Sequence, residues 1–502
     1  DGKSICPTST LTFSADEAGR YFILISATNA GGTTEKEIRI DVFQLDVPTI
    51  SIADADKGFK VLQGSELTIT PIVDSFLETS YSWQINGEDI SNELTCTLPT
   101  IELGEYQVRF ATHNEDGDDE VTFKVEVCSP DQVDFNWTFL QTEYNMSAGR
   151  TIRIKPVDVN NALDAVYTWT VDNEQVQSGE NDTYLFTSEQ QGEHTVKVEM
   201  RNSYILATQT LKINVCPPAG TYQRKISATS SASMNRVYEY LPAPGQFINE
   251  NHTTTTMAEA CTYAEERINQ TAYVSLGGFG GYIIVGFDHS IVNDGDYNIA
   301  ITGNAFDGSS EPGIVWVMQD ENGDGLPNDT WYELRGSEYG KAETWQDYAV
   351  TYHKPTGIQL PTPWTDNHGQ SGSIDYLGAF HRQDYYYPAW VKEKQYTLRG
   401  TRLKERNYDQ SGNGTYWVND SYEWGYADNF SAIDRLTDDD NYNAGPSDNH
   451  FKISHAVTFD GKDANLKYVD FIKVQVGVNS KSGWLGEIST EVFGIKDFNM
   501  LK

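Results

Sequence analysis

The stretch that decides the fold is YSWQINGEDI (81–90), followed by GEYQVRFATHNEDG (104–117). Apolar and polar residues alternate in both runs, and Asn, Gly and Asp residues supply the turns. Alternation with such turns is typical of β-hairpins in half-buried sheets. The stretch therefore predicts antiparallel strands, with Trp83 as a core residue.

The second run belongs to a pattern that occurs three times. Gly19, Gly104 and Gly192 each open an alternating run, and they are 85 and 88 residues apart. After a polar turn, each run continues into a second one, which reads EKEIRIDV, VTFKVEV or ATQTLKINV. A strand with one tryptophan, Trp83 or Trp169, precedes the second and third glycines. One buried tryptophan in an all-β unit of this length is typical of a β-sandwich.

The repeat predicts units at residues 1–46, 47–128 and 129–216. Only eighteen residues precede Gly19, and the first unit has no tryptophan strand. Half a sandwich exposes unpaired strands, so we expect the first unit to be incomplete and to lack an N-terminal piece. Residues 217–502 contain no further repeat and are predicted to form one large domain.

The last domain is predicted to be a jelly-roll-like β-sandwich with long loops, which makes the fold class all-β. A helix is expected only around 257–269. Short strands with glycine turns over such a length favour this architecture. Loops at roughly 353–450 exceed what packing needs, and long loops usually carry function. The expected strands are AYVSLGG, GYIIVGF, YNIAITGNAF, GIVWVMQD, WYELRG and YVDFIKVQVGV.

The composition argues against several classes of partner and site. The formal net charge is -37, so the phosphates of nucleic acids or anionic lipids would be repelled. No run approaches the ~20 apolar residues of a membrane helix. The five cysteines include no CxxC pair and give no zinc signal. Cys128 and Cys216 occupy equivalent repeat-end positions, so we predict buried thiols and no disulfide framework.

The run DENGDGLPNDTWYEL (320–334) predicts a structural calcium site. Calcium prefers six to eight oxygen ligands, and D-x-[DN]-x-[DN]-G supplies three side-chain oxygens with a glycine at the bend. Trp331 stands where an EF-hand has glutamate, and strands are expected on both sides, so the loop is not that of a calcium sensor. A solvated acidic turn is the alternative. The predicted ligands are Asp320, Asn322, Asp324 and the Leu326 carbonyl, with Asn328 or Asp329 completing the site.

A second polar run, GNAFDGSSEPG (303–313), precedes the strand that leads into this loop. Short antiparallel strands could bring Glu311 near Asp320 as a second layer around the metal. A polar hairpin turn is the alternative.

Enzyme signatures are missing from the sequence. There is no HExxH motif, and HGQSGS (368–373) lacks the last glycine of GxSxG. GGFGG (277–281) lies between two expected strands, which favours a tight turn over a phosphate loop. Carboxylate pairs have no specificity among 73 acidic residues. We therefore expect a protein that is not an enzyme.

Aromatic residues concentrate in the runs PTPWTDNHG, HRQDYYYPAW and GTYWVNDSYEWGYADN. Adjacent residues of a strand point to opposite faces, so the three consecutive tyrosines 385–387 are not expected to share one core. Rings beside amides and carboxylates suit a flat ligand with a polar rim, such as a sugar or a macrocycle. Packing of the loops by their own rings is the alternative. The candidate ligand-binding residues are Trp364, Arg382, Tyr385, Tyr386, Trp390, Trp417, Asn419, Trp424, Tyr426 and Asp428.

Two resemblances add to these inferences. The runs SWQINGEDI…GEYQVRFATHN and TWTVDNEQV…GEHTVKVEMRN resemble the PKD or immunoglobulin-like modules of bacterial surface proteins, over roughly residues 48–216. Such modules usually act as spacers, so we expect residues 46–216 to be dispensable for ligand binding.

The runs at 275–292, 303–334 and 468–491 resemble a C-terminal β-sandwich domain of Bacteroidetes cell-surface lipoproteins. The family that they resemble includes the cobalamin-binding proteins called BtuH, and the match spans roughly residues 235–495. The resemblance implies vitamin B12 (cobalamin) as the ligand, an outer-membrane cobalamin transporter as the partner, and a lipid anchor at the cell surface. DNHGQS (366–371) has Ser371 where the cobalamin motif DxHxxG needs glycine, so we expect the ligand to bind intact. A calcium-stabilised glycan-binding lipoprotein or adhesin is the alternative function.

Overall fold

The computed structural model describes residues 5–100, 102–133, 136–160, 162, 164–202, 205–436 and 446–502. It confirms the all-β fold class: tandem PKD/immunoglobulin-like sandwiches are followed by a large jelly-roll-like β-sandwich. No helix in the described residues is long and apolar enough to cross a membrane.

The first unit contains a two-stranded antiparallel sheet, β1 (Gly19–Asn29) and β2 (Gly32–Val42). Several of its apolar side chains are exposed, among them Phe22 and Leu24. Gly19 opens β1, as the repeat predicts.

The second module is built around Trp83, which has no exposed surface. Its indole N–H donates to the Glu93 carbonyl at 3.0 Å, and Phe110 packs against the ring. One contiguous apolar cluster forms the core of the module. The strands are β3 (Thr49–Ser51), β4 (Phe59–Leu62), β5 (Leu67–Ile69), β6 (Ile72–Asp74), β7 (Ser80–Ile85), β8 (Glu88–Ser91), β9 (Cys96–Leu98), β10 (Gly104–Asn114) and β11 (Gly117–Cys128).

The third module repeats this arrangement around Trp169, which is also fully buried. Its core is a separate cluster, so both predicted core tryptophans are confirmed. After a four-residue helix, α1 (Pro130–Val133), the strands are β12 (Asn136–Thr138), β13 (Glu143–Ser147), β14 (Thr151–Ile154), β15 (Val157–Asn160), β16 (Val166–Val171), β17 (Glu174–Gly179), β18 (Tyr184–Thr187), β19 (Gly192–Arg201) and β20 (Leu206–Cys216).

The two modules are joined edge to edge. Their main sheets form one 10-stranded sheet, because Leu206 of β20 pairs with Val61 of β4. Lys197 Nζ lies 2.6 Å from Glu66 Oε2 across this junction. The cysteines are free thiols, and Cys128 and Cys216 are buried at the ends of β11 and β20.

The last domain packs a six-stranded sheet against a three-stranded one, with one apolar cluster between them. All six strand runs expected from the sequence contain strands. The strands are β21 (Arg236–Leu241), β22 (Val274–Ser275), β23 (Tyr282–Val292), β24 (Ile299–Gly303), β25 (Gly313–Met318), β26 (Trp331–Leu334), β27 (Trp345–His353), β28 (Thr362–Asp366), β29 (Ser371–Ile374), β30 (Gln395–Arg402), β31 (Asn407–Asp409), β32 (Trp417–Asn419), β33 (Ser447–Phe451), β34 (Ala456–Val457), β35 (Tyr468–Val476), β36 (Glu491–Val492) and β37 (Gly494–Asp497). The sheet orders are β21-β23-β35-β25-β26-β34 and β33-β24-β37.

The predicted helix is confirmed as α2 (Met257–Asn269). The Thr256 hydroxyl accepts from the Glu259 N–H at 3.2 Å, which satisfies one of the free donors at the helix N-terminus. Ala260, Ala264 and Ile268 recur every four residues and form the buried face.

The region 353–450 is less loop-like than expected. β28 and β30 pair with β27, and β29 pairs with β28, in a four-stranded sheet of the order β29-β28-β27-β30. Many aromatic residues of this region pack into a second apolar cluster beside the sandwich. The strands therefore do not show the regular alternation of apolar and polar residues that would predict them from the sequence.

The third module contacts the last domain directly, which the spacer interpretation did not anticipate. The Ser147 N–H donates to Glu321 Oε2 at 2.8 Å, and Arg150 Nη1 donates to the Ala464 carbonyl at 2.6 Å. Arg153 and Lys155 both form ion pairs with Asp347. These contacts create a cleft between the two units.

Candidate functional site

A large cavity lies at the junction of the third module and the last domain. Its volume is about 670 Å³. One wall comes from residues 140–159 of the module, and the other comes from β25, β26, β30 and β35. We call it the junction cleft. None of the ten candidate ligand residues lines it.

The domain wall carries a row of side chains from neighbouring strands. Trp316 of β25 pairs with Glu333 of β26 on one side and with Lys473 of β35 on the other. The Lys473 ammonium lies 4.8 Å from the Trp316 ring centroid and 5.0 Å from that of Trp331. Such cation–π contacts hold both rings at the wall. Within the described residues, the Trp316 indole N–H has no hydrogen-bond partner.

Burial shifts both ionisable groups of this row toward their neutral forms. Desolvation raises the pKa of Glu333 to about 7, although its carboxylate accepts from the Thr401 hydroxyl at 2.6 Å. Desolvation likewise lowers the pKa of Lys473 to about 8. The wall therefore combines indole surface with weakly charged polar groups.

The module wall is basic where it meets the domain. Lys155 Nζ lies 2.8 Å from Asp347 Oδ2, and Arg153 Nη2 lies 3.1 Å from Oδ1 of the same carboxylate. These ion pairs lower the pKa of Asp347 despite its partial burial. Asp347 adopts a φ of 56°, in the left-handed region that aspartate tolerates better than most residues.

This arrangement can bind a bulky, amphipathic small molecule. Ligand sites are typically concave, with apolar and aromatic walls and a few polar groups that fix orientation, and a volume of roughly 300–1,000 Å³ is usual. The junction cleft meets these criteria with two indoles, the Lys473 ammonium, the Glu333 carboxyl and a charged rim.

Sequence reasoning missed these residues. Trp316 follows the alternation GIVWVM, in which Val315 and Val317 face the core, so its ring had to point to the opposite face. That signal was available. Nothing in the sequence indicated that the third module covers that face and turns it into a cleft.

Four of the candidate ligand residues are brought together, in the second apolar cluster. Tyr386 is buried there, and Trp364, Tyr385 and Trp390 pack against the cluster. The Tyr386 hydroxyl donates to the His381 carbonyl and accepts from the Leu377 N–H, both at 3.0 Å. Tyr385, Tyr386 and Tyr387 do share one core, contrary to expectation, because this segment is irregular and strand alternation does not apply.

The other six candidates lie apart from this cluster. Arg382 is exposed, and Trp417 covers Gly483. The buried Asn419 accepts from the Ser482 hydroxyl at 2.7 Å. Trp424 lines a separate cavity of about 230 Å³.

Tyr426 is 2% exposed and accepts from the Glu338 N–H through its hydroxyl at 2.9 Å. Asp428 has no exposed surface. The ten residues therefore do not form one pocket in this conformation, and their role in binding stays a prediction.

The predicted calcium residues lie on one compact loop. Asp320 accepts from the Gly323 N–H at 2.7 Å and the Gly325 N–H at 3.0 Å. Asp324 accepts from the Leu326 N–H at 2.7 Å through one oxygen. Its other oxygen accepts from the Asn322 and Asn328 amides, at 2.9 and 2.8 Å.

Two buried carboxylates of this loop, Glu321 and Asp329, fit a cation. Asp329 accepts from the Glu321 N–H at 2.9 Å, yet Asp329 Oδ1 and Glu321 Oε1 are buried without a hydrogen-bond partner among the described residues. Desolvation raises the pKa of Asp329 to about 8 and that of Glu321 to about 7. Such orphaned oxygens, in an all-oxygen donor set, are what calcium prefers. Calcium at this loop remains a prediction.

The prediction that Glu311 forms a second layer around that loop is wrong. Glu311 does not approach Asp320, because the two residues lie at opposite ends of β25. A strand of that length spans about 20 Å. Glu311 instead joins Asp428 and Glu491.

Comparison with known proteins identifies the modules. Residues 47–114 and 119–202 match the model of a PKD-like domain. The second and third modules are PKD-like. The match leaves the last domain uncovered, and no curated protein matches the chain.

Solved structures with tandem sandwich modules are similar over about a third of the chain. The Ig1-2 module of Drosophila receptor protein tyrosine phosphatase DLAR is 11% identical, with a TM-score of 0.28, and the alignment covers 34% of this chain and 98% of that one. Fibronectin(III)-like modules of Clostridium thermocellum CbhA are 16% identical, with a TM-score of 0.17, and the alignment covers 36% of this chain and 100% of that one.

Proposed function

We propose that this protein is a cell-surface binding protein that captures cobalamin non-covalently and hands it to an outer-membrane transporter. In this proposal a lipid anchor holds it at the outer face of the outer membrane. The tandem PKD-like modules support the coarser part, since such modules are typical of surface binding or adhesion proteins. The resemblance of residues 235–495 to the BtuH family supports cobalamin as the ligand.

The observation that carries the proposal is the junction cleft. It is open, about 670 Å³ in volume, and lined on its domain side by Trp316, Trp331 and Lys473. A corrin ring has apolar faces and a fringe of amides. Indole faces can contact the ring, while Glu333 and the basic rim formed by Arg153 and Lys155 can bond the amides.

Capture and hand-over require binding without covalent change. Histidine on cobalt is the usual ligand when a protein replaces the lower base of cobalamin. No histidine lines the cleft among the described residues. Cobalamin should therefore bind intact and be recovered unaltered.

The alternative function is glycan binding by a calcium-stabilised surface lipoprotein or adhesin. The two indoles that flank Lys473 favour it, because tryptophan rings also bind the apolar faces of sugars. The two functions share the same cleft and differ in the ligand.

Calorimetry on the full chain separates these functions. Cyanocobalamin and a panel of host and plant glycans are titrated in parallel. Cobalamin capture predicts heat with cyanocobalamin, and Trp331→Ala should weaken it by about 2 kcal/mol or more, since buried aromatic anchors dominate binding. The matched control is Trp484→Ala, an exposed ring away from the cleft.

Three outcomes have distinct meanings. Heat with a glycan and none with cyanocobalamin would replace cobalamin capture by the adhesin function. Loss of cobalamin affinity with Trp364→Ala, and none with Trp331→Ala, would move the site to the aromatic loops. If Trp331→Ala, Trp364→Ala and the wild type bind cyanocobalamin with equal affinity, neither the junction cleft nor the aromatic loops form the binding site.

A further inference from the structure

Three carboxylates, two of them buried and that of Glu311 half-buried, meet at a place that the proposed function does not use. Ligand oxygens of Glu311, Asp428 and Glu491 all lie within 4.8 Å of one another. Among the described residues, this is the only group of three or more acidic, histidine or cysteine side chains with that spacing. Asp428 and Glu491 are 0% and 3% exposed.

The fold brings these residues together from three distant segments. Glu311 precedes β25, Asp428 lies in the turn after Tyr426, and Glu491 opens β36. The Glu311 N–H donates to the Asp428 carbonyl, and the Glu491 N–H donates to Asp428 Oδ2, both at 2.9 Å. These bonds fix the backbones of Glu311 and Glu491 beside Asp428.

The cluster lacks a basic partner within the part of the chain that the structure describes. Within the described residues, none of the three carboxylates forms an ion pair with lysine, arginine or histidine. The Glu311 and Glu491 side chains lie within hydrogen-bonding reach of each other. Two oxygens that both accept need a proton or a cation between them.

One further observation points to a cation, and a neighbouring amide stands at the solvent side of the cluster. Glu491 Oε1 is buried and has no hydrogen-bond partner among the described residues. One end of the exposed Asn304 amide lies 3.0 Å from Asp428 Oδ1 and 3.3 Å from Oδ2. That amide can add a neutral oxygen at the solvent side, or donate through its nitrogen if no cation is bound.

We propose that Glu311, Asp428 and Glu491, with the Asn304 side chain, hold one calcium ion. Hard carboxylate and amide oxygens without histidine or cysteine favour calcium or magnesium over zinc. Calcium tolerates irregular geometry, which suits ligands from three unrelated segments. The ion would tie the start of β25 to β36 and to the turn at 428, on the side of the domain opposite the 320–329 loop.

The test counts calcium bound to the full chain. The protein is stripped with chelator, dialysed against buffered free calcium and analysed by elemental mass spectrometry. Glu491→Gln should bind one ion fewer than the wild type, and Asp324→Ala, in the 320–329 loop, should leave this ion in place. The matched control is Asp307→Asn, which removes an exposed neighbouring carboxylate outside the cluster and should bind as many ions as the wild type.

A second variant covers the case in which Glu491→Gln does not fold. Asn304→Asp adds a fourth carboxylate at the open side and should raise calcium affinity about tenfold, because ligand charge tunes such sites. If protons rather than calcium neutralise the cluster, Asn304→Asp lowers the melting temperature equally with and without calcium. That result, or an unchanged ion count in a folded Glu491→Gln protein, overturns the proposal.

Discussion

The second and third modules are built on the same plan and differ in what they touch. Each has a sheet in which a tryptophan strand, Trp83 or Trp169, pairs with the strand that the repeat glycine opens. In each, the last long strand also pairs in parallel with an early strand, β4 or β13. Only the third module, however, contributes a wall to the junction cleft.

Equivalent strands show where this difference arises. β5 pairs with β9 as β14 pairs with β18, and Leu67 and Ile69 correspond to Ile152 and Ile154 in the core. The residues that follow these core positions are Thr68 and Thr70 in the second module. In the third they are Arg153 and Lys155, which bind Asp347.

The two modules share a core without sharing a role. Core positions of the two modules carry the fold, whereas outward positions such as Arg153 and Lys155 contribute to the docking of the third module. The third module is therefore part of the candidate site, and the second module acts as its support through the common sheet. The following predictions test this division.

The largest expected effect comes from the core tryptophans. Trp83→Ala and Trp169→Ala should each destabilise their own module by about 3–5 kcal/mol, because a large cavity replaces a buried ring. Trp169→Ala alone should also weaken ligand binding, since it loosens the wall of the cleft. Calorimetric unfolding measures the stability of both variants, and ligand titration measures their affinity. If Trp83→Ala and Trp169→Ala lose affinity equally, the third module is not distinguished from the second as part of the site.

Calcium removal should affect the third module and the last domain before the second module. The 320–329 loop contacts the third module through the bond from Ser147 to Glu321. A ligand at 100 times its Kd stabilises the folded state by about 2.7 kcal/mol, so chelator and Asp324→Ala should both lower the melting temperature of that pair. The control is Asp420→Ala, an exposed aspartate elsewhere in the domain. If chelator leaves the melting profile unchanged, the loop is only a solvated turn.

A smaller effect is expected from the outward positions. Arg153→Thr with Lys155→Thr gives the third module the residues of the second and should weaken docking by about 1 kcal/mol, the upper range for partly exposed ion pairs. The effect should shrink at high salt. The reciprocal control, Thr68→Arg with Thr70→Lys, should leave docking unchanged. Hydrogen exchange at the junction measures docking in both double variants. If only the Thr68/Thr70 variant changes the exchange, the outward positions of the second module, and not those of the third, affect docking.

The smallest expected effect is a pH dependence at the cleft wall. Burial raises the pKa of Glu333 to about 7, above the ~4.3 of an exposed glutamate. The unfolded chain releases this proton first, so the contribution of Glu333 to stability is fully present below about pH 4 and is lost as pH rises to about 7. The free energy of unfolding, measured with denaturant, should change less with pH over that window in Glu333→Gln than in the wild type. Glu120→Gln in the second module is the control. If Glu333→Gln leaves the pH dependence of the free energy of unfolding unchanged, other groups are responsible for that dependence.

Much of the fold could be predicted from the sequence, and little of the candidate site. Alternation and repeat spacing gave β10, β19 and the two core tryptophans, because these depend on local pattern and burial. The cleft depends on contacts between Arg153 and Asp347, 194 residues apart, and no local pattern encodes such a pairing. The loop setting of Tyr386 predicts a ligand contact, but its neighbours fold over it and bury the ring.

Hydrogen–deuterium exchange of the full chain, with and without cyanocobalamin, tests most directly the claim that the third module is part of the ligand site. The account predicts that cyanocobalamin protects residues 151–159 of the third module together with residues 331–334 of the last domain. Residues 67–73 of the second module should be unaffected. Protection confined to residues 361–429, with none at 151–159, would contradict the account.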